Sequence, residues 1–312
     1  MAPKAKAQAK PPGPIGRWIA ALRPPTLLAS ITSIAAGALA FESPDQRVDF
    51  GWLALTFVAL ATLQIVANLV NDYGDYKKGA DDESERLGPP RVIAMGWITP
   101  EEIKKAIDAI LRFEVVLAVP LCLRGGIGVL CLGLIGVAGA IWYTTGKRSL
   151  AYMGLGEVAV FLLFGPGSVL GTVLVQSGGN MDFTLLCRVI LPSFIAGSLV
   201  SAILVVNNLR DIPSDRKVNK ETLATRLGPG WTRMMHSLMI LSPYVCLLCS
   251  SQRMLNPSWR VAWATFPFAL GATWAVHARE GRALNACLGV TALLGTTFCL
   301  APWCLTMTRR RT

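Results

Sequence analysis

Asn68, Asp72 and Asp75 stand at i, i+4 and i+7, so on a continuing helix they share one face. Three oxygen-bearing side chains on one face suit a hard divalent cation such as Mg²⁺. The stretch that carries them, Asn68-Leu-Val-Asn71-Asp72-Tyr73-Gly74-Asp75-Tyr76-Lys77-Lys78-Gly79-Ala80-Asp81-Asp82, follows directly on the apolar run Trp52 to Val70. A run of roughly 20 residues is long enough to cross a bilayer. The carboxylates therefore sit where a membrane helix meets water. Charge is cheap at that position, so the row on its own also reads as a solvated acidic loop. A second row shifts the balance. Asn207, Asp211 and Asp215 stand at i, i+4 and i+8 at the end of another apolar run, with Pro213 inside the row. Both rows are followed by Lys and Arg. Two such rows suit the ionisation of an allylic diphosphate. Carboxylates repel a diphosphate directly, but they hold Mg²⁺, and Mg²⁺ bridges phosphate oxygens. Arg and Lys then neutralise the charge on departing pyrophosphate. The carbocation left behind is trapped by an electron-rich acceptor while apolar helices keep water away.

The elements that must position these rows follow from composition. Hydrophobic residues make up 53% of the 312 residues and charged residues only 16%, and the apolar residues come in blocks. This is the pattern of an all-α, polytopic membrane helix bundle and excludes a soluble domain. The apolar runs predict nine spans, at 27–41, 52–70, 106–123, 127–145, 150–175, 184–208, 232–250, 259–277 and 284–306. Residues 1–17 are basic and Pro-rich and read as a disordered tail with no secretory-signal pattern, and Trp18 to Arg23 as a short interfacial segment. Residues 18–312 form one transmembrane domain. Thr99-Pro100-Glu101-Glu102 predicts a helix start, with Thr as cap, Pro at the first turn and acids following. The formal charge of +11 lies at the ends of apolar runs and shows no basic stripe with interleaved aromatics. It therefore argues against nucleic acid and for membrane topology. Placing the tail in the cytoplasm puts both acidic rows there too, in agreement with the positive-inside rule; Arg309-Arg310-Arg311 falls on the other side under an odd count. Cys246 and Cys249 have redox or metal spacing but sit in an apolar run without further ligands, and read as small buried hydrophobes. His236 and His277 receive no role.

Further text joins the rows: Lys78-Gly79-x-Asp81, Gly88-Pro89-Pro90-Arg91, Tyr152-x-Gly154-Leu155-Gly156-Glu157, Asn207-Asn208-x-Arg210-Asp211-x-x-x-Asp215 and Lys220-x-Thr222-Leu223-Ala224. With these the chain after its tail resembles the UbiA superfamily of intramembrane aromatic prenyltransferases, and within it the branch acting on 1,4-dihydroxy-2-naphthoate (MenA-like). The resemblance implies about nine helices around a central cavity capped by cytoplasmic loops. It implies a multi-pass protein of a bacterial-type or organelle membrane. It implies Mg²⁺, an allylic polyprenyl diphosphate and an aromatic acceptor. Prenylation with loss of the ring carboxylate would give demethylmenaquinone, or demethylphylloquinone from a phytyl donor, in menaquinone or phylloquinone biosynthesis.

By the same resemblance, Asp72, Asp75, Asp211 and Asp215 are the catalytic acids. Asn68, Asp72, Asp75 and Asp81 hold one metal, and Asn207, Asp211 and Asp215 the other. Arg91, Lys147, Arg210 and Lys220 are diphosphate candidates, and each also reads as an inside-facing topology charge. Tyr73 and Tyr143 are candidates to flank the cation with their π faces, or are interfacial aromatics. Glu157 either lines the cavity or caps a helix contact. Gly79 departs from the superfamily, which often has a third Asp there, and Asn219 stands where the naphthoate branch usually has Gly; Asn tolerates the left-handed conformation nearly as well. No residue identifies itself as a general base. Rival acceptors are 4-hydroxybenzoate, homogentisate, a haem or chlorophyll precursor and a glycerol phosphate. A cation-coupled transporter is the rival of another class. Oligomeric state and prenyl chain length are not legible in the sequence.

Overall fold

The computed structural model describes residues 12–43, 45–79, 87–146, 148–250 and 255–309. Among these the chain is helical, without strands beyond an isolated bridge between Ser43 and Gln46. A short amphipathic helix, α1 (Pro14–Leu22), precedes nine helical segments. These are α2 (Leu27–Phe41), α3 (Phe50–Lys77), α4 (Pro100–Gly125) and α5 (Ile127–Trp142). Next comes α6 (Gly156–Leu162), which runs through a π turn (Leu163–Gly167) into α7 (Ser168–Ser177). Then follow α8 (Phe183–Lys217), α9 (Leu223–Cys249), α10 (Phe266–Ala278) with its preceding 3₁₀ stretch Pro257–Thr265, and α11 (Leu284–Arg309). The number of segments matches the number of apolar runs. Six segments are long and apolar enough to cross a bilayer alone: Pro14–Phe41, Phe50–Lys77, Gly156–Ser177, Phe183–Lys217, Leu223–Cys249 and Gly281–Thr308.

Element starts follow local chemistry. Asp49 caps α3 by accepting from the Gly51 and Trp52 amides at 2.8 and 3.2 Å. Thr99 and Glu102 form a reciprocal capping box on α4, with the Thr99 amide donating to Glu102 Oε2 at 2.8 Å. Asp182 and Thr222 cap α8 and α9. Several boundaries differ from the spans expected from the sequence. The helix α1 begins at Pro14, inside the segment read as tail; residues 1–11 of that tail lie outside the described residues, as do Arg310 and Arg311. The helix α4 begins at Pro100, the start that Thr99-Pro100-Glu101-Glu102 predicts, a polar turn ahead of its apolar run, while α9 begins at Leu223 and not at 232. The fifth span begins at Gly156 and not at 150, because Leu150–Tyr152 folds as a 3₁₀ turn and Gly154 takes φ 73°.

Helix α2 forms the centre and packs on α3, α7, α8 and α11. Its small residues Ala35, Ala36, Gly37 and Ala38 are buried and let neighbouring backbones approach. The tightest crossing lies elsewhere, between the π turn and α8. A Cβ on Gly165 would stand 2.5 Å from the Ser193 carbonyl oxygen and 3.0 Å from the Gly197 Cα.

The two longest helices, α3 and α8, well exceed what a bilayer needs. At 1.5 Å per residue, α3 measures about 42 Å and α8 about 52 Å, against a hydrocarbon core of about 30 Å. Their excess at one end carries the two acidic rows.

The Gly165 contact is with backbone, which cannot rotate away. Gly165→Val is expected to destabilise the detergent-solubilised protein by about 1–3 kcal/mol, read as a lowered melting temperature. Gly171→Ala, whose added Cβ would meet only Leu132 Cδ1 at 3.7 Å, is expected to leave it unchanged.

Candidate active site

The first acidic row survives folding because α3 continues through it to Lys77. Asp72 and Asp75 are 1% and 2% exposed. Burial of a carboxylate is costly unless cations and hydrogen bonds meet it, and they do. Arg91 spans both acids, pairing with Asp72 through one guanidinium nitrogen and with Asp75 Oδ2 at 2.9 Å through the other. Arg23 also pairs with Asp72. It reaches there from a left-handed backbone (φ 52°, ψ 64°) at the junction of α1 with the turn that opens α2. The Tyr152 hydroxyl donates to Asp75 Oδ1 at 3.1 Å.

The second row also survives, since α8 runs unbroken past Pro213 to Lys217. Arg210 forms a two-pronged pair with Asp211, both bonds 2.7 Å, and donates to Asn207 Oδ1 and Asn285 Oδ1, again at 2.7 Å. Lys220 Nζ lies 3.6 Å from Asp215 Oδ1. The turn that returns Lys220 is made by Asn219 at φ 52°, the left-handed conformation expected of that Asn.

Tyr152 ties the rows together. Its hydroxyl holds Asp75, and its ring has Lys220 Nζ at 5.4 Å and Lys78 Nζ at 3.6 Å from the centroid. Lys78 also donates to the Thr144 carbonyl and the Ser149 hydroxyl at 2.8 and 2.9 Å. Burial pushes the Lys78 ammonium below its ordinary range, against the opposing pull of Asp75. A second tie is the segment Gly88-Pro89-Pro90-Arg91. Arg91 lies on the first row, while a Cβ on Gly88 would stand 2.7 Å from a guanidinium nitrogen of Arg210 in the second. Asn285 donates to the Leu87 carbonyl at 2.9 Å and anchors the same segment.

Below this layer opens a cavity of about 1530 Å³. Its polar lining includes Asn68, Asn71, Arg91, Asn207, Arg210 and Lys220, and Tyr143 lines it as well. Further down its wall is almost entirely aliphatic, from residues such as Leu60, Leu63, Gly133 and Leu170. Its polar exceptions are Thr56, Gln64, Ser168 and Thr172 and one charged residue, Glu114, which accepts from the Thr62 hydroxyl.

The donor set fits a hard cation. It consists of carboxylate and carboxamide oxygens, and two of them, Asn71 Oδ1 and Asp215 Oδ2, are buried without a hydrogen-bond partner. Among the described residues no three His, Cys, Asp or Glu side chains converge into a ready cage. That agrees with Mg²⁺ chemistry, in which one or two carboxylates share the ion with phosphate and water. Asn68 is oriented differently from the other candidates, because its amide nitrogen donates to the Leu22 carbonyl and Thr26 Oγ1 at 3.1 and 2.9 Å.

The structure thus brings together Asp72, Asp75 and Arg91; Asn207, Arg210 and Asp211; and Asp215 and Lys220. It places Tyr73 elsewhere. One residue along from Asp72 is a turn of about 100° around the helix, and the Tyr73 ring packs with Ala21, Leu69 and Trp97, facing Lys77 and Lys104 at 5.1 and 5.2 Å. It is absent from the cavity wall. Asp81 and Lys147 lie outside the described residues. Sequence reasoning missed Arg23, Asn71, Asn208 and Asn285, and gave Tyr152 no role. Asn71 and Asn208 adjoin the rows and Arg23 precedes a span, which is a weak signal; Asn285 has none.

Comparison with known proteins agrees with this geometry. The UbiA prenyltransferase family profile matches residues 29–306. The chain is 37% identical over 256 residues to the 1,4-dihydroxy-2-naphthoate octaprenyltransferase of Escherichia coli (strain K12), covering 78% of each protein. It is 34% identical over 288 residues to the protein of the same name from Mycobacterium tuberculosis, covering 91% of this chain and 94% of that one. In fold it is similar to a UbiA homolog from Archaeoglobus fulgidus bound to GPP and Mg²⁺, with TM-score 0.63 at 15% identity over 92% of this chain and 99% of that one. Paired acidic rows at the mouth of an apolar cavity and a family match over nearly the whole helical bundle lead to one assignment: the chain belongs to the UbiA prenyltransferase family.

Proposed function

We propose that this protein transfers a polyprenyl group from an allylic polyprenyl diphosphate to 1,4-dihydroxy-2-naphthoate. The C–O bond to diphosphate breaks, a C–C bond forms to the ring, and the ring carboxylate leaves as CO₂. Pyrophosphate is the second product, and the prenylated naphthol is the precursor of demethylmenaquinone. The observation that carries this reading is the pair of buried acidic rows, each with its own cations, facing one another above a long aliphatic cavity. The names of the Escherichia coli and Mycobacterium tuberculosis relatives support the naphthoate acceptor, and the Archaeoglobus fulgidus structure supports a prenyl diphosphate with Mg²⁺. Family membership favours an enzyme over a cation-coupled transporter.

In this reading Asp72, Asp75, Asp211 and Asp215, with Asn71 and Asn207, would hold Mg²⁺. Bound there, Mg²⁺ supplies Lewis-acid neutralisation of the diphosphate. Arg91, Arg210 and Lys220 bind phosphate oxygens and hold the leaving group over the cavity mouth. Tyr152 and Lys78 keep the two rows in register. The aliphatic wall takes the isoprenoid chain and excludes water from the cation. The ring of Tyr143 offers a π face at the same mouth. Asn68 acts through the α1–α2 junction, which its amide holds in place. The orientation proposed is with the mouth on the cytoplasmic side, where the positive-inside rule puts the cations.

The test is a membrane assay with 1,4-dihydroxy-2-naphthoate and a series of allylic diphosphates, with Mg²⁺ and with EDTA. A decarboxylated, prenylated product that disappears with EDTA is expected. Turnover of another phenol but not of naphthoate would keep the reaction and replace the acceptor.

Asp72→Ala and Asp211→Ala are each expected to lower turnover by about 10²-fold or more, with membrane insertion intact; near-normal turnover in either would sink the two-row assignment. Arg91→Ala is expected to raise the KM for the diphosphate donor about tenfold. A change confined to the acceptor would remove Arg91 from the diphosphate site. Tyr73→Phe is expected to stay within about twofold of the parent in both KM values, since its ring lies away from the cavity.

A further inference from the structure

Behind the second row lies a polar pair for which the reaction as described has no use. Glu157, in the first turn of α6, is 2% exposed. Its Oε1 accepts from Asn208 Nδ2 at 2.8 Å. Its Oε2 is buried without a hydrogen-bond partner, and no cation pairs with it among the described residues. Its backbone carbonyl accepts from the Ser201 hydroxyl at 3.2 Å, which fixes this turn against α8. Glu157 does not reach the cavity wall, but Asn208 does. A carboxylate accepts and does not donate, so Glu157 dictates which end of the Asn208 amide faces it. The nitrogen is spent on Glu157, and the carbonyl oxygen is the end Asn208 offers to the cavity. Tyr143 stands on the same side. A Cβ on Gly156, the neighbour of Glu157, would lie 3.1 Å from the Tyr143 hydroxyl, so the bare Gly156 is what lets that ring settle against the turn.

An oriented carboxamide oxygen beside an aromatic ring, one residue along from Asn207, has no partner in an isoprenoid chain, which carries no donor. It has none in a diphosphate either, which at neutral pH only accepts. The remaining reactant is the aromatic acceptor, whose hydroxyl is a donor. We infer that Asn208, with its carboxamide fixed by Glu157, receives a hydroxyl of the aromatic acceptor and sets the ring beside the cavity mouth. Asn208 is the binding residue and Glu157 the positioning residue. The hydrogen bond draws the phenolic proton toward Asn208 Oδ1 and so enriches the ring that attacks the allylic cation. The inference rests on the prenyl transfer proposed above and specifies its acceptor subsite.

The test measures KM for 1,4-dihydroxy-2-naphthoate and, separately, for geranylgeranyl diphosphate at saturating Mg²⁺, in the parent and in Asn208→Ala, Glu157→Leu and Glu157→Gln. Melting temperature in detergent is followed in parallel. Asn208→Ala and Glu157→Leu are expected to raise the naphthoate KM about tenfold, the loss of one oriented hydrogen bond, with the diphosphate KM within twofold. Glu157→Gln presents a carbonyl oxygen to the same Asn208 nitrogen and is expected to restore most of that loss. A second readout uses 1-hydroxy-2-naphthoate and 4-hydroxy-2-naphthoate as competitive inhibitors. The parent is expected to bind the analogue lacking the contacted hydroxyl more weakly, and Asn208→Ala to treat the two alike.

An unchanged naphthoate KM in Asn208→Ala overturns the inference, and so does a rise confined to the diphosphate KM. If Glu157→Leu does not fold, Asn208→Ala and the inhibitor pair decide. If the parent itself turns over neither naphthoate nor another phenol, the proposed function falls and the inference with it. Turnover by the parent with no shift in any variant overturns the inference alone.

Discussion

Four aspartates of one sign sit within one mouth, three of them almost wholly buried. Like charges so placed in a weakly screening environment are tolerable only if cations meet them at contact. Most of the upper structure is the answer to that requirement, and each cation comes from a different place in the chain. Arg23 comes from the α1–α2 junction, Arg91 from the segment before α4, Arg210 from α8 itself and Lys220 from the turn after it. Neutralising the acids therefore pins four separate pieces of chain over the cavity. The same guanidinium and ammonium groups suit phosphate oxygens. The cations that balance the aspartates in this structure are the ones a diphosphate would meet.

The requirement also explains the helix lengths. Ordinary spans would end with their last apolar turn, and a row placed there would need a loop to hold it. Instead α3 and α8 run on as helix through Lys77 and Lys217. The period of the helix then keeps each Asn and its aspartates on one side over about two turns. Rigidity at the base comes from the close crossings of α2 and of the π turn, where small residues bring backbones together. The bundle can be loose in composition, mostly interchangeable aliphatics, because its precision is concentrated in these contacts and in the ionic layer.

Much of this was legible in the sequence, and what was legible was local. Helical periodicity predicted both rows, apolar runs predicted the helical segments, and Thr99 with Glu102 marked the start of α4. Asn219 was expected to stand in for Gly and does so at φ 52°. The rest depends on contacts across the fold. Nothing near Arg23 announces that it reaches a residue far along the chain, and nothing near Tyr152 announces Asp75. Asn285 reads as an ordinary polar residue at the head of an apolar run until the structure puts Arg210 beside it. Tyr73 shows the opposite failure. Membership of a chemically active stretch suggested a role, while the helical turn between neighbours carries its ring to the outer side. The early start predicted for the fifth span failed because hydropathy does not register a 3₁₀ turn whose residues are themselves apolar.

The polarity of the cavity then orders the events within it. All its charge lies at one end except Glu114, whose partner Thr62 sits about 15 Å below Asp72 along α3 by helical rise. A substrate with a charged head and a hydrocarbon chain has one favourable orientation in such a space, head against the aspartates and chain along the aliphatic wall. Its reacting carbon is then fixed near the mouth. The second reactant, planar and polar, has no reason to descend into the aliphatic part, where its hydroxyls would lose their partners. It must be met at the boundary between the two environments, and that boundary is where Tyr143 and Asn208 stand. The distribution of polar groups along one cavity is thus enough to bring an allylic carbon and an aromatic ring to the same level.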